Sequence, residues 1–383
     1  MSSTRTRPSS LQQDSDAGDP YPASNDRRVV FVWLATRGLV FAAAWIGGLA
    51  LVGEQGGLSG YLELWNRWET PYYLSIAQSG YFPEGQFANN AAYFPGLALI
   101  FKAGLLVGLS APATGMLVSL FAGLVASLAL ARLTHSVGGG GVWGVVAWTV
   151  APVAVFIAAP WAEALFAAFA FWSWLKARQG AWLWAGALAG AAALVRVNGL
   201  FLGAALVVLF VVSGSRRNAR GLALLAPFVV TAAYFAYLWQ RSGDWKAWFT
   251  AQSVGWDRNF HDPISALVNT YQLIFEFNDG VGAPHSRFMI EIAAVFVLAG
   301  LGFVMLVKRW WGEAAFVLLT VGSLATSTYY YSVPRTAVVL FPVWMLIGLW
   351  LSRRRWLAIA YVGVGVPILF LVTMRFAQGQ WIS

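Results

Sequence analysis

Residues 27–52 read RRVVFVWLATRGLVFAAAWIGGLALV, two arginines followed by an apolar run that carries one further charge, Arg37. The run exceeds the ~7–15 residues of a signal-peptide core, so it predicts a retained membrane span whose arginine-flanked N-terminus faces the cytoplasm. The rest of the chain agrees. Of its 383 residues 59% are hydrophobic and 11% charged, with 21 Trp and 26 Phe. A soluble protein covers its surface with roughly 25% charged residues, so this composition predicts an all-α polytopic membrane protein. The absence of cysteine excludes a disulfide framework, thiolate metal sites and a thiol nucleophile. The net charge of +9 is read as membrane topology, and no nucleic-acid partner is expected.

Residues 1–26 are polar and predict a disordered cytoplasmic tail. Its Asp14-Ser15-Asp16 has the form of a metal-binding Asp-x-Asp, which in such a tail is ordinary composition. Residues 27–383 are expected to form one membrane-embedded domain. A polar stretch at 53–92 leads to apolar runs at 93–109, 112–132, 142–159, 162–174, 182–195, 200–212 and 222–239. A second polar stretch, 240–287, precedes runs at 288–307, 314–331, 337–351 and 356–374. Lys176 with Arg178, Arg216 with Arg217 and Arg220, Lys308 with Arg309, and Arg353 with Arg354 and Arg355 mark inside turns. Counting outward gives about eleven spans, ten to twelve, with two long outer-face loops at 53–92 and 240–287. Residues 93–109, short and carrying Lys102, are expected to form a re-entrant or incompletely crossing helix. Glu54, Glu63, Glu69, Glu84, Glu163, Asp244, Asp257, Asp262, Glu276 and Asp279 then all fall outside, which marks that face as the working surface.

The most informative outer segment is LWNRWETPYYLSIAQSGY, Leu64 to Tyr81, followed by Ala91-Ala92-Tyr93-Phe94-Pro95-Gly96. Trp65, Trp68, Tyr72 and Ile76 recur at helical spacing, as in an interfacial amphipathic helix. Equally, Glu69 is a lone carboxylate among Trp68, Tyr72 and Tyr73, an apolar setting that suits a general base.

Trp68-Glu69-x-x-Tyr72-Tyr73-x-x-Ile76-Ala77-x-x-Gly80-Tyr81 with Tyr93-Phe94-Pro95 resembles the W-D-x-x-[YF]-[YF]-x-x-I-A-x-x-G-Y and F-F-P signature of the PIG-V-type mannosyltransferases. The likeness continues through Pro160-Trp161-Ala162-Glu163-Ala164-Leu165-Phe166, Arg196-Val197-Asn198-Gly199, and Pro334-Arg335 to Phe341-Pro342. It implies a GT-C-like bundle that transfers mannose, or a related sugar, from a polyprenyl-phosphate carrier to a lipid or glycolipid acceptor at the outer face of the cell membrane. One departure is that Glu69 stands where the family usually has Asp, which lengthens the base by one methylene.

Inverting displacement at an anomeric carbon needs a base on the acceptor hydroxyl and a cation on the departing phosphate. Glu69 fits the first role, and Arg196 and Arg335 the second. Trp68, Tyr72, Tyr73, Glu163, Asn198, Asp257 and His261 are the candidate substrate contacts. Helix-end snorkelling, or pairing with Glu163, is the structural alternative for both arginines. Trp245, Trp248 and Trp256 suit sugar stacking or interfacial anchoring alike. No metal or other cofactor is called for, since His135, His261 and His285 lack ligand spacing and the donor carries no nucleotide diphosphate. Gly139, Gly141 and Gly144 match a dinucleotide fingerprint, but no strand precedes them. A transporter or lipid flippase is the competing class, disfavoured by carboxylates in loops and by the lack of a repeat. An inactive scaffold subunit is a third reading, motivated by Glu69.

Overall fold

The computed structural model describes residues 21–52, 57–82, 89–215, 218–276 and 286–380. Asp14, Asp16, Glu54, Glu84, Arg216, Arg217, Asp279 and His285 lie outside the described residues, as does the expected tail up to residue 20. The fold is all-helical, and among the described residues the one β-type pairing is an isolated antiparallel bridge between Phe260 and Ser327.

Helix α1 (Ala23–Val52) starts before the arginines, so residues 23–26 of the expected tail are helical instead. Asp26 sits in the positive first turn and pairs with Arg132 at 2.8 Å, which fixes this start. The polar stretch that follows carries α2 (Gly57–Glu63) and α3 (Thr70–Ser79), and α4 (Pro95–Leu106) comes next. At ~18 Å α4 is too short to cross a ~30 Å hydrocarbon core alone. Helix α5 (Ala111–His135) is long and apolar. The run at 142–159 is not one helix: α6 (Gly141–Val150) stops before Pro152, which opens a 3₁₀ segment, Pro152–Ile157. Arg37, fully buried in α1, donates to the carbonyls of Thr149 and Ala154 that this break releases.

Helices α7 (Ala162–Arg178), α8 (Trp182–Val195) and α9 (Asn198–Val212) follow. Alanine at 162, 164, 167 and 170 and at 185, 189 and 192 lets α7 and α8 pack closely. Helix α10 (Ala226–Ser242) leads to the second polar stretch, which contains α11 (Ala247–Trp256) and α12 (Pro263–Glu276). Helices α13 (Ser286–Val307) and α14 (Trp311–Ala325) precede α15 (Val333–Thr336), α16 (Phe341–Arg353) and α17 (Arg355–Ala377). The run at 337–351 is bent by 81° at Leu340, just before Pro342. The indoles of Trp344 and Trp148 donate to the carbonyls of Ala337 and Val338 at the bend.

Among the described residues, five helices are long and apolar enough to cross a membrane, or six if the bent pair is one span. Their outer flanks carry exposed Phe296, Val297, Ile359 and Leu371, as lipid contact requires. Helices α7, α8, α9 and α14 run end to end between two cavities. Glu163, Val195, Asn198 and Thr320 lie at or beside one; Arg178, Trp182, Val212 and Trp311 surround the other. The basic turns at Lys176–Arg178 and Lys308–Arg309 thus share one end, and Arg196 and Arg335 lie at the other.

Candidate functional site

The larger cavity, about 790 Å³, is within the ~300–1,000 Å³ of small-molecule sites. Its walls come from segments scattered along the chain, each placed by a turn or a helix break. Trp68 takes a left-handed conformation (φ 53°), a strained geometry for so bulky a residue, and swings the chain into α3. Glu69 occupies the N-cap position of α3, yet its side chain does not cap the helix. It reaches Arg335 instead, 2.7 Å from Nη1. A guanidinium therefore faces the carboxylate where an apolar setting was expected.

Arg335 is presented by the short helix α15, whose start is clamped by Glu291. Both oxygens of this buried carboxylate accept backbone N–H bonds, from Ser332 and Val333, at 2.8 Å. Arg335 also donates through Nε to Glu163, with Nη2 in ion-pair contact with the same carboxylate oxygen, and lies over the rings of Trp161 and Phe156, 4.3 and 5.3 Å from their centroids. Glu163, in the first turn of α7, is 1% exposed and accepts from Arg196 at 2.7 Å. Arg196 and Asn198 sit in the reverse turn between α8 and α9. Gly199 is required there, since a Cβ would lie 2.3 Å from the Ala193 backbone. The four charged residues form one chain: Glu69, Arg335, Glu163, Arg196. Glu69 Oε2 is buried without a hydrogen-bond partner, an acceptor left over.

Aromatic rings make the facing wall. Tyr72 stacks on Tyr93 (4.9 Å between centroids), and Trp256 meets Tyr93 edge-on at 5.6 Å. Burial, and secondarily the Glu69 carboxylate, pushes the phenols of Tyr73 and Tyr93 well above their ordinary value, so both remain neutral O–H groups. Tyr81 and Tyr234 donate to the Tyr93 carbonyl and hold that corner rigid.

Trp68, Glu69, Tyr72, Tyr73, Arg196, Asn198 and Arg335 all line the cavity, and Glu163 lies directly behind it. Asp257 and His261 do not line it. Asp257 takes the left-handed C-cap of α11, with its carboxylate exposed and bound to Asn259 at 3.0 Å. The strap formed by residues 256–261 turns Trp256 and Arg258 inward, on either side of Asp257. This strap is zipped to the chain after α14: Asn259 N–H donates to Thr328 Oγ1, His261 N–H to the Thr326 carbonyl, and Thr328 Oγ1 to the Asp257 carbonyl. Trp248 also lines the cavity, whereas Trp245 is exposed elsewhere.

Arg258 and Glu291 are the participants that sequence reasoning missed. For Glu291 a signal existed, an acidic residue inside the apolar run 288–307, where such groups are costly and hence purposeful. Arg258 had none beyond its aromatic neighbour. Arg258 donates to the Tyr331 carbonyl at 3.2 Å, and no carboxylate among the described residues pairs with it. Neither a family model nor a curated protein matches the chain.

Proposed function

We propose that the chain is an integral membrane glycosyltransferase of the PIG-V type. It moves mannose, or a related sugar, from a polyprenyl-phosphate carrier to a lipid or glycolipid acceptor, with inversion and without a metal. The observation that carries this reading is the convergence on one cavity of a carboxylate with an unused oxygen, a wall of aromatic rings and an excess of guanidinium charge. Aromatic faces suit a sugar ring and arginine suits phosphate, and the carboxylate suits the hydroxyl that attacks.

In the reaction the acceptor oxygen bonds to the anomeric carbon and its proton passes to Glu69. The bond from the anomeric carbon to the phosphate oxygen breaks, and its electron pair leaves with the lipid phosphate. Tyr73 and Asn198 supply neutral hydrogen-bonding groups to sugar hydroxyls. Glu163 touches no substrate in this scheme and positions the two arginines. The cavity end corresponds to the outer face, with the N-terminus and the basic turns in the cytoplasm, by the positive-inside rule. With the six longer spans, the shorter helices α7, α8, α9 and α14, at ~21–26 Å each, make ten crossings by local thinning of the bilayer, and α6 with the 3₁₀ segment after it makes the eleventh.

Broken helices around buried charges are also a transporter design, and α6, α15 and α16 give that reading an observation of its own. One experiment decides between them. Purified protein incubated with radiolabelled polyprenyl-phosphate mannose and a lipid extract should yield a labelled glycolipid. Movement of labelled donor across a proteoliposome membrane with no product would support the transporter and overturn the transferase.

A further inference from the structure

We infer that Arg258 is the residue that receives the phosphate of the lipid-linked donor, while Arg335 is kept for the charge that appears when the glycosidic bond breaks; this rests on the transferase reading above. The other guanidiniums lining the cavity are already engaged, Arg196 on Glu163 and Arg335 on Glu163 and Glu69. Arg258 has a neutral carbonyl as its hydrogen-bond partner.

Placement of Arg258 is rigid because the bonds from 257–261 to 326–328 fix the strap on both sides of it. An arginine so held loses little freedom on binding an anion, and its planar fork matches two phosphate oxygens. Burial draws its guanidinium below the ordinary value; Tyr331 opposes this, while Arg196 and Arg335 press the same way as burial and Glu291 opposes least. An incoming anion relieves that repulsion.

The charges also match the ligand class. Glu69 and Glu163 stand against Arg196, Arg335 and Arg258, which leaves one positive charge over. A sugar phosphodiester of a lipid carries one negative charge; a nucleotide diphosphate sugar carries two. On transfer the departing phosphate gains a second negative charge, and Glu69, by accepting the proton, loses its own. Arg335 is thereby freed from one of its two carboxylates as the phosphate comes to need another cation. Proton and electron pair move in opposite directions, and the total charge of site and ligands is unchanged.

The test measures binding to the whole protein in nanodiscs, using a short-chain polyprenyl monophosphate and the uncharged alcohol of the same chain as probes. The wild type should prefer the phosphate. Arg258→Gln should lose about ten- to a hundredfold in phosphate affinity, with alcohol binding unchanged. Phosphate affinity in a folded Arg258→Gln within twofold of the wild type overturns the inference while leaving the transferase reading intact. A wild type with no preference for phosphate sinks both. A second measurement needs no variant: saturating polyprenyl phosphate should protect Arg258 from phenylglyoxal, mapped by mass spectrometry, and undiminished modification there also overturns the inference.

Discussion

Replacing Glu163 with Gln tests the charge chain independently of any activity. Among the described residues Glu163 is the one carboxylate bound to Arg196 and one of two bound to Arg335. Its loss therefore strands Arg196, while Arg335 falls back on Glu69. Removing one partner of a buried ion pair costs about 3–5 kcal/mol, since the remaining charge stays desolvated. The glutamine oxygen can still accept one hydrogen bond, which returns about 1 kcal/mol. Arg196 is partly exposed, at 19%, which lowers the figure again. A destabilisation of about 2–4 kcal/mol follows. Adding Arg196→Gln restores the original charge balance, so the double variant should recover at least ~1 kcal/mol relative to additivity of the single changes. Equilibrium unfolding in mixed micelles, followed by tryptophan fluorescence, reads both quantities. The fluorescence includes Trp161, whose ring lies against Arg335. A fully stable Glu163→Gln, or a double variant as unstable as the sum of its parts, would refute the linked-charge account.

Glu69→Gln should leave the protein folded and slow transfer at saturating donor by ~10²–10⁴-fold, measured as initial rate beside a detergent-stability assay. Glu69→Asp is the control: retained activity shows that the site tolerates the shorter base. Gly199→Ala should destabilise by about 1–3 kcal/mol or prevent insertion, because the added methyl meets the Ala193 backbone and has nowhere to move; thermal unfolding of the purified variant checks it. For topology, cysteines at Asn218 and Val254, both exposed, should label oppositely with an impermeant thiol reagent in intact cells, position 254 reacting and 218 not. The reverse pattern overturns the assigned orientation.

Much of the cavity was legible because its residues announce themselves at chain reversals. The Trp68-Glu69 turn, Arg196 to Gly199 and Pro334-Arg335 are short polar interruptions between apolar runs, and all three line one space. The helix breaks were less visible. Pro152 and Pro342 lie inside runs whose hydropathy never drops, so composition reads each as continuous while the missing N–H ends the helix. In the strap, charge pointed to Asp257, but the left-handed turn at that residue reverses the side-chain order and sends Arg258 inward. Backbone conformation at one residue decided which of two neighbours joins the site, and side-chain chemistry carries no record of it. Long-range partners such as Glu291 and Ser332 were hidden for the same reason: their pairing depends on where α13 and α15 are packed.

The spacing of the charges along the chain also orders their assembly during synthesis. Glu163 meets Arg196 after 33 residues, within a stretch that inserts as α7, α8 and the turn before α9, so its charge is matched almost as soon as it is buried. Arg335 follows Glu163 by 172 residues, which at ~5–20 residues per second is roughly 10–35 s of translation. Through that interval Glu69 has no cation from α15, and the cavity lacks both the strap's anchor and its last wall. A ribosome-held chain that ends before α15 therefore contains the Glu163–Arg196 pair but not the full chain of charges, and Glu69 meets its arginine only as about the last eighth of the polypeptide is made.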